Sequence, residues 1–508
     1  MSNKKIFSLD NLIKKISKDK KKGKKIVLCH GTFDLLHVGH IKHFKQAKIF
    51  GDKLIVTVTS DKYINKGPNR PAFGEKYRME SIAALETVDF VSLSDNPTAI
   101  QIIKSLKPDF YCKGPDYKNY KNDTTGAILD EIKMTKKFGG RIVYTKDITF
   151  SSSKVINSFS NAYSLEQKKT FQKIKEKYNF SKIKYLVEKI KDIKVLVIGE
   201  IIIDQYVFCE ALGKSGKEPV LALRDIRSEQ YLGGAAAICR HLSQFCGKIS
   251  LLSAIGEKGE YLKEIKKGLP KNVNFKYFRK KKSPTIVKKR FLDNISLNKV
   301  LGVYSINDDL LSSTQEKKFI NLLKKFISFH DLVIVSDYGH GLISEKISKI
   351  ISNSSKYVAL NAQINASNVG YHTMKNYKNI DCVIINQKEL QHEMRDRNSK
   401  IEILMNKLSS QQKIKDLVVT RGIDGSLLYN KEMNKFNICQ AFTKSPVDKI
   451  GTGDAMLSII ALFLKSGFTK DLALLAGSLA ASQSASTIGN KYAVDKTKIL
   501  KSLEHLLK

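Results

Sequence analysis

Apolar runs of strand length recur along the chain, each followed by a stretch whose apolar positions return every three or four residues. "KIVLCHG" precedes a helical pattern from about Ile41, and "KLIVTVTSD" precedes another from about Glu75. "VDFVSLSD", "PDFYCKG" and "GRIVYTKD" continue the alternation. This pattern predicts a parallel sheet covered by helices on both faces. The unit closes near Ser160. The stretch that follows, "SLEQKKTFQKIKEKYNFSKIKYLVEKI", lacks the Gly/Ser/Pro composition of a flexible linker and predicts a semi-rigid helix. A second alternating unit opens at "IKVLVIGEIIID" (Ile193 to Asp204) and includes the strands "DLVIVSDYG", "DCVIINQ" and "DLVVTRG". The expected organisation is a helical extension over 1–24, an α/β unit over 25–160, a helical connector over 161–191 and a larger α/β unit over 192–508. No internal repeat relates the halves.

A chain of 508 residues with 42% hydrophobic content is long enough for two or three cores. Its formal charge of +39 points first to nucleic acid. However, only 11 of the 88 basic residues are Arg, and no base-reading motif accompanies them. The lysines therefore read as solvated faces that attract small phosphorylated anions, and neither nucleic acid nor membrane is the expected partner. Seven cysteines without a CxxC pair read as reduced, mostly buried thiols. The start "MSNKKIFSLDNLIKK" carries no apolar core of signal-peptide length, so the expectation is a soluble cytoplasmic protein.

The strand "KIVLC" runs into "HGTFDLLHVGH" and an amphipathic helix. Gly31 and Gly39 allow close backbone approach. The first turn of the helix presents unpaired N–H groups to an anion, with His37 and His40 three residues apart beside it. Nucleotidyl transfer requires chiefly positioning and charge stabilisation, which imidazoles, helix N–H groups and lysines can supply. An HxxH pair alone also occurs incidentally or as half of a metal site. The full phrase "GTFDLLHVGHIKH" resembles the HxGH signature of the cytidylyltransferase-like nucleotidyltransferases. The resemblance implies nucleotide-binding roles for Gly31, Thr32, Phe33 and Gly39. Through "RPAFGEKYRM" it places Arg78 near the phosphates, and through "KPDFYCKGPDYK" it implies Lys113, Gly114 and Asp116. "TFSSSKVI" is similar to the family's Ser/Thr-rich helix start, giving Ser151, Ser152 and Ser153; Lys146 stands where many relatives have an Arg.

Near the C-terminus, "SPVDKIGTGDAMLSIIALFL" sets Asp448 and a Gly-rich turn before an apolar helix, with an acid in its first turn. Such a turn can hold a transferring phosphoryl group, and the carboxylate can take a proton from an attacking hydroxyl. The segment resembles the signature of the ribokinase/PfkB carbohydrate kinases. That implies Asp454 as catalytic base and Gly451, Thr452 and Gly453 as anion hole. "GEIIIDQY" and "YLGGAAAICRHL" then imply Asp204, Gly233 and Gly234 as sugar-binding. "INQKEL" implies Asn386 and Glu389 near the metal–phosphate site, and "VVTRGIDGSLL" implies Thr420, Gly422 and Gly425 around ATP. Two departures are visible: Ala237 replaces a sugar-binding Asn, and Asn361 to Gln363 read "NAQ" where "DPK" is usual.

Together the two halves resemble the bifunctional heptose-phosphate kinase/heptose-1-phosphate nucleotidyltransferases, with the domains in reversed order. The resemblance implies a Rossmann-like domain followed by a ribokinase-like α/β domain. It also implies Mg2+ as cofactor, ATP or CTP and sugar phosphates as substrates, and a homodimer. No metal ligand is directly assigned. Two alternatives stay open: a glycerol-phosphate-type cytidylyltransferase with a non-catalytic kinase fold, and a binder of nucleic acid or anionic surfaces. The choice between ATP and CTP is open as well.

Overall fold

The computed structural model describes residues 4–507 apart from 65, 68–69, 119, 121–122, 124–125, 147–162 and 444–445. The chain separates into two compact units, Met1–Phe171 with Thr497–Lys508, and Gln172–Lys496.

In the first unit α1 (Leu9–Lys21), β1 (Ile26–Gly31), α2 (Val38–Lys48), β2 (Lys53–Thr59), α3 (Glu75–Ala83), β3 (Phe90–Ser94), α4 (Ile100–Leu106), β4 (Phe110–Lys113), α5 (Ala127–Lys137) and β5 (Arg141–Tyr144) follow in order. The strands form a parallel sheet in the order β3-β2-β1-β4-β5. Strand order reverses at β1, and in open α/β sheets ligands bind outside the strands' carboxyl ends at such a point. The residues before β1 are integral to the sheet. Ile6 bridges Val91 of β3, the N–H of Phe7 donates to Val91 O at 2.9 Å, and Leu12 and Ile16 are buried in one apolar cluster with Ile26, Leu28 and Tyr111. α2 begins three residues before the expected Ile41. His37 is its N-cap, so the HxGH phrase forms the helix's own first turn rather than a loop before it.

The expected single connecting helix is two helices, α6 (Leu165–Lys177) and α7 (Phe180–Lys189). Asn179 ends the run between them by accepting from the N–H of Lys182 at 2.8 Å, a local competitor to helix continuation.

The second unit comprises β6 (Lys194–Gly199), β7 (Ile201–Lys214), β8 (Leu221–Gly234), α8 (Ala235–Leu242), β9 (Lys248–Gly256), α9 (Leu262–Gly268), β10 (Val273–Lys280), β11 (Val287–Asp293), β12 (Lys299–Ser305), α10 (Ser313–Ser328), β13 (Leu332–Asp337), α11 (Glu345–Ser352), β14 (Tyr357–Ala362), β15 (Cys382–Asn386), α12 (Gln387–Met394), α13 (Ile401–Gln412), β16 (Asp416–Thr420), β17 (Ser426–Asn430), β18 (Lys435–Cys439), α14 (Thr452–Lys465) and α15 (Lys470–Ala485). The chain's closing helix, α16 (Lys496–Leu506), groups almost entirely with the first unit. A nine-stranded sheet runs β10-β9-β6-β13-β14-β15-β16-β17-β18, parallel as far as β16 and antiparallel beyond. A four-stranded sheet runs β12-β11-β7-β8. The run "IKVLVIGEIIID" is therefore two strands. β6 lies in the large sheet and β7 in the small one, with Glu200 between them. α14 is buried continuously from Asp454 to Leu464, as an all-round apolar helix must be. It packs against α8, α15 and the centre of the large sheet.

Two candidate active sites

In the first unit the turn after β1 is tightly built. Phe33 has a left-handed φ of 47° and packs edge-on against His40 and Phe44, at 5.3 and 5.1 Å between ring centroids. A Cβ on Gly31 would come within 3.0 Å of the Phe33 ring. Thr32 leads into this strained residue, and its carbonyl accepts from Arg78. Asp34, buried beneath the turn, pairs with Arg70 at 2.7 Å and accepts from the N–H of Ala72. His37 Nδ1 accepts from the N–H of Gly39 at 3.1 Å, and the rings of His37 and His40 stack at 3.9 Å. Burial, with help from the Lys66 charge, lowers the pKa of both; His40 falls to about 3. Two neutral imidazoles at the N-terminus of α2 thus form a surface at which a bound anion would favour uptake of a proton from solvent.

Arg78 and Lys113 are both buried and held by protein partners. Arg78 is fully buried, and donates to the carbonyls of Phe73, Thr32 and Thr59 at 2.9, 2.6 and 2.9 Å and to Asp61. It clamps the turn through these bonds. Lys113 is buried against Glu131 at 3.2 Å, with its ammonium 5.0 and 4.8 Å from the rings of Tyr111 and Tyr117. Gly114 has open space where a Cβ would stand, and Asp116 is exposed in the short turn that follows. Ser151, Ser152 and Ser153 lie outside the described residues.

In the second unit Asp204, Gly233 and Gly234 converge where β7 and β8 pair. A Cβ on Gly233 would meet the Asp204 carboxylate at 2.2 Å, and one on Gly234 (φ 58°) would meet Glu200 O at 2.4 Å. Arg290 of β11 binds Asp204 at 2.5 Å, and Lys288, two residues earlier, lies buried beside Tyr338. Gly451, with φ 83°, is the N-cap of α14; a Cβ there would meet Asn490 Oδ1 at 2.0 Å. Thr452 is tied to Lys449 O at 2.8 Å, and Gly453 faces open space. Asp454 accepts from the Tyr338 hydroxyl at 2.8 Å. Burial raises its pKa to about 7, with Asp204 pushing the same way and the Tyr338 bond opposing. A carboxyl so tuned, beside a helix N-terminus, can take a proton from a hydroxyl near neutral pH. Asp448 stands beside the turn, held by Lys299 at 2.5 Å, Tyr206 at 3.0 Å and the N–H of Gly489 at 3.0 Å.

Residues 192–497 match the family model for pfkB family carbohydrate kinase. The chain belongs to this family. The kinase half also resembles phosphofructokinase-2 from Escherichia coli in complex with potassium, with a TM-score of 0.51 and 16% identity over 62% of this chain and 100% of that one. At that identity the likeness concerns the fold. Residues 28–158 match the cytidylyltransferase-like model. Bifunctional protein HldE of Geotalea uraniireducens is 38% identical over 143 residues, 28% of each chain. Its namesake from Campylobacter fetus is 43% identical over 139 residues, 27% of this chain and 29% of that one. The chain thus aligns with less than a third of the length of these curated relatives.

In this pfkB-family unit the Mg2+ that the fold family implies does not fit Asn386 and Glu389 as direct ligands. Asn386 Oδ1 accepts from the Glu389 N–H at 2.9 Å and Glu389 Oε2 from the Asn386 N–H at 2.7 Å, a reciprocal cap on α12. Burial raises the Glu389 pKa to about 7, with its bond from the Asn386 N–H opposing. Thr420 pairs with Asn386 at the carboxyl edge of the sheet. Gly422 and Gly425 turn β16 into β17, and a Cβ on Gly425 would meet Cys439 O at 2.1 Å. Sequence reasoning missed Lys66, Lys288, Arg290, Tyr338 and Asn490. The spacing of Lys288 and Arg290 in "VKKRFLD", which puts both on one face of a strand, was the available signal.

Proposed function

We propose that the chain makes a nucleotide-activated sugar. Its 192–508 region phosphorylates a sugar or sugar phosphate with ATP, and its 25–160 region transfers a nucleotidyl group from ATP or CTP to a sugar phosphate. The observation that carries the reading is the meeting of Asp454, the Gly451–Thr452–Gly453 turn and the Asp204 pocket in one buried site. Asp454 accepts the hydroxyl proton as that oxygen attacks the γ-phosphoryl group. The N–H groups of the turn take up the charge on the transferring phosphoryl group, and Asp204 with Gly233 and Gly234 orients the sugar. Lys288 and Arg290 give the pocket a cationic wall suited to an acceptor that already carries a phosphate.

In the first unit, acceptor phosphate oxygen attacks the α-phosphate and pyrophosphate leaves. His37 and His40 stabilise that charge, and Arg78 acts by fixing the turn that presents them. The likeness to HldE proteins supports a heptose phosphate as acceptor and a role in surface polysaccharide precursors. The test is pyrophosphate release from ATP or CTP with a panel including heptose 1-phosphate and glycerol 3-phosphate, beside a separate assay of ADP formation with sugars and sugar phosphates. The reading expects both activities, the first lost in His37→Ala/His40→Ala and the second in Asp454→Asn. Nucleotidyl transfer to glycerol 3-phosphate with no kinase turnover would replace it with a single-activity cytidylyltransferase.

A further inference from the structure

Beneath the phosphate-facing turn of the first unit, three soft donor groups come together from three elements. Cys29 of β1 and Cys112 of β4 are direct cross-strand partners, so their side chains leave the sheet on the same face. His43 projects from α2, which packs on β1. One donor atom from each of Cys29, His43 and Cys112 lies within 4.8 Å of the others. The two thiols are buried, and the imidazole is partly so.

We propose that Cys29, His43 and Cys112 bind a soft divalent cation of the zinc class as a Cys2His site with an open fourth position. Zinc takes thiolate at about 2.3 Å and imidazole at about 2.0 Å, so tetrahedral donors sit roughly 3.8 Å apart. The three donors therefore need to close by no more than about 1 Å. Thr145 Oγ1 stands 3.2 Å from His43 Nδ1 and restrains the ring, the kind of outer contact that fixes a ligating imidazole. Lys113, close by, is paired with Glu131 at 3.2 Å. The limited exposure of His43 provides the side from which an ion enters.

Simple core filling is the competing account, since small thiols pack well among Val27, Phe44 and Val56 of the same cluster. It leaves unexplained why an imidazole is turned toward two in-register thiols, where aliphatic side chains would pack without a polar cost. Binding forms two metal–thiolate bonds and one metal–imidazole bond and releases both thiol protons to solvent. Because His43 follows His40 by three residues on α2, the ion would pin the helix that carries the imidazole pair to both central strands.

The test uses the full-length reduced chain, stripped with chelator and titrated with Co2+ and, separately, Zn2+. The expected result is one ion per chain, with thiolate-to-cobalt charge-transfer absorption. That absorption should vanish in Cys29→Ser/Cys112→Ser, and affinity should weaken at least tenfold in His43→Gln. Cys239→Ser, in the other unit, should bind as the parent does. Should the double variant fail to fold, alkylation of the parent chain decides: Zn2+ should protect Cys29 and Cys112 and leave the other cysteines unchanged. No uptake, uptake unaffected by the double variant, or no zinc protection of these two thiols overturns the site. A Cys29–Cys112 disulfide in the isolated chain, with no metal uptake after reduction, would assign the pair to redox chemistry.

Discussion

Replacing Asp454 with Asn should abolish phosphoryl transfer and at the same time stabilise the second unit, by an amount set by pH. The buried carboxyl has its pKa raised from 3.8 to about 7, chiefly by loss of water, with Asp204 adding to the effect. At about 1.4 kcal/mol per unit, the ionised form costs the native state roughly 4 kcal/mol. The sign follows from proton binding. Between the two pKa values the native state holds a proton that the unfolded state has released, so native stability falls as pH rises through that window. Asn keeps the acceptor for the Tyr338 hydroxyl and carries no charge. The stability difference, variant minus parent, should be near zero at pH 4, climb by about 1.4 kcal/mol per pH unit and level off above pH 7. Urea unfolding of both proteins across pH 4 to 8.5, following the transition of the second unit, measures it. The parent's turnover should meanwhile fall on the acid side of about pH 7, as the base becomes protonated. A stability difference that does not change with pH, or a variant weaker than the parent throughout, would show that the carboxyl ionises normally in the native state and refute the argument.

Three other outcomes follow from the packing. Tyr338→Phe removes the bond that lowers the Asp454 pKa, so the acid limb of the kinase profile should move to higher pH, read from kcat against pH. Arg78→Leu leaves the carbonyls of Thr32, Thr59 and Phe73 without their donor and should destabilise the first unit by roughly 3 kcal/mol in thermal or urea melts. If Arg78 instead met a phosphate, stability would hold and only nucleotide affinity would fall. Leu12→Ala should cost about 2–5 kcal/mol by the same melts, because this N-terminal helix shares a core with β1 and β4. Retained stability would make the helix a dispensable extension.

Periodicity made the two α/β units legible, and the signature phrases made legible the clustered candidate residues, because a strand–turn–helix motif gathers its residues in one continuous stretch. His37 with His40, and Gly451 to Asp454, are of this kind. What escaped was assembled across strands. Arg290 reaches Asp204 from β11, and Tyr338 reaches Asp454 from the turn after β13. No local spacing encodes those meetings. The same limit explains Arg78, where a basic residue at the motif position gave no sign that three carbonyls of other segments would surround it. It also explains Glu389, placed by its motif near the metal–phosphate site, whose reciprocal bond with Asn386 caps a helix. Cys29 and Cys112 are far apart in sequence and become neighbours only through the pairing of β1 with β4.

The imidazole pair yields a final prediction. In the free chain burial holds the His40 pKa near 3, with the charges of His37 and Lys66 adding to the effect. A phosphate charge about 4 Å from the ring, at an effective dielectric near 20, contributes roughly 4 kcal/mol, or about three pKa units. That would bring His40 to about 6, so triphosphate binding should draw in protons near pH 6 and almost none at pH 8. Titration calorimetry in buffers of different ionisation enthalpy measures the uptake directly. Binding should also be tighter at the lower pH, since protons and nucleotide then favour the same state, and His40→Gln should remove most of the uptake. Binding without proton uptake at pH 6 would mean that the phosphates do not approach the imidazole stack, and the N-terminus of α2 would no longer account for the anion site.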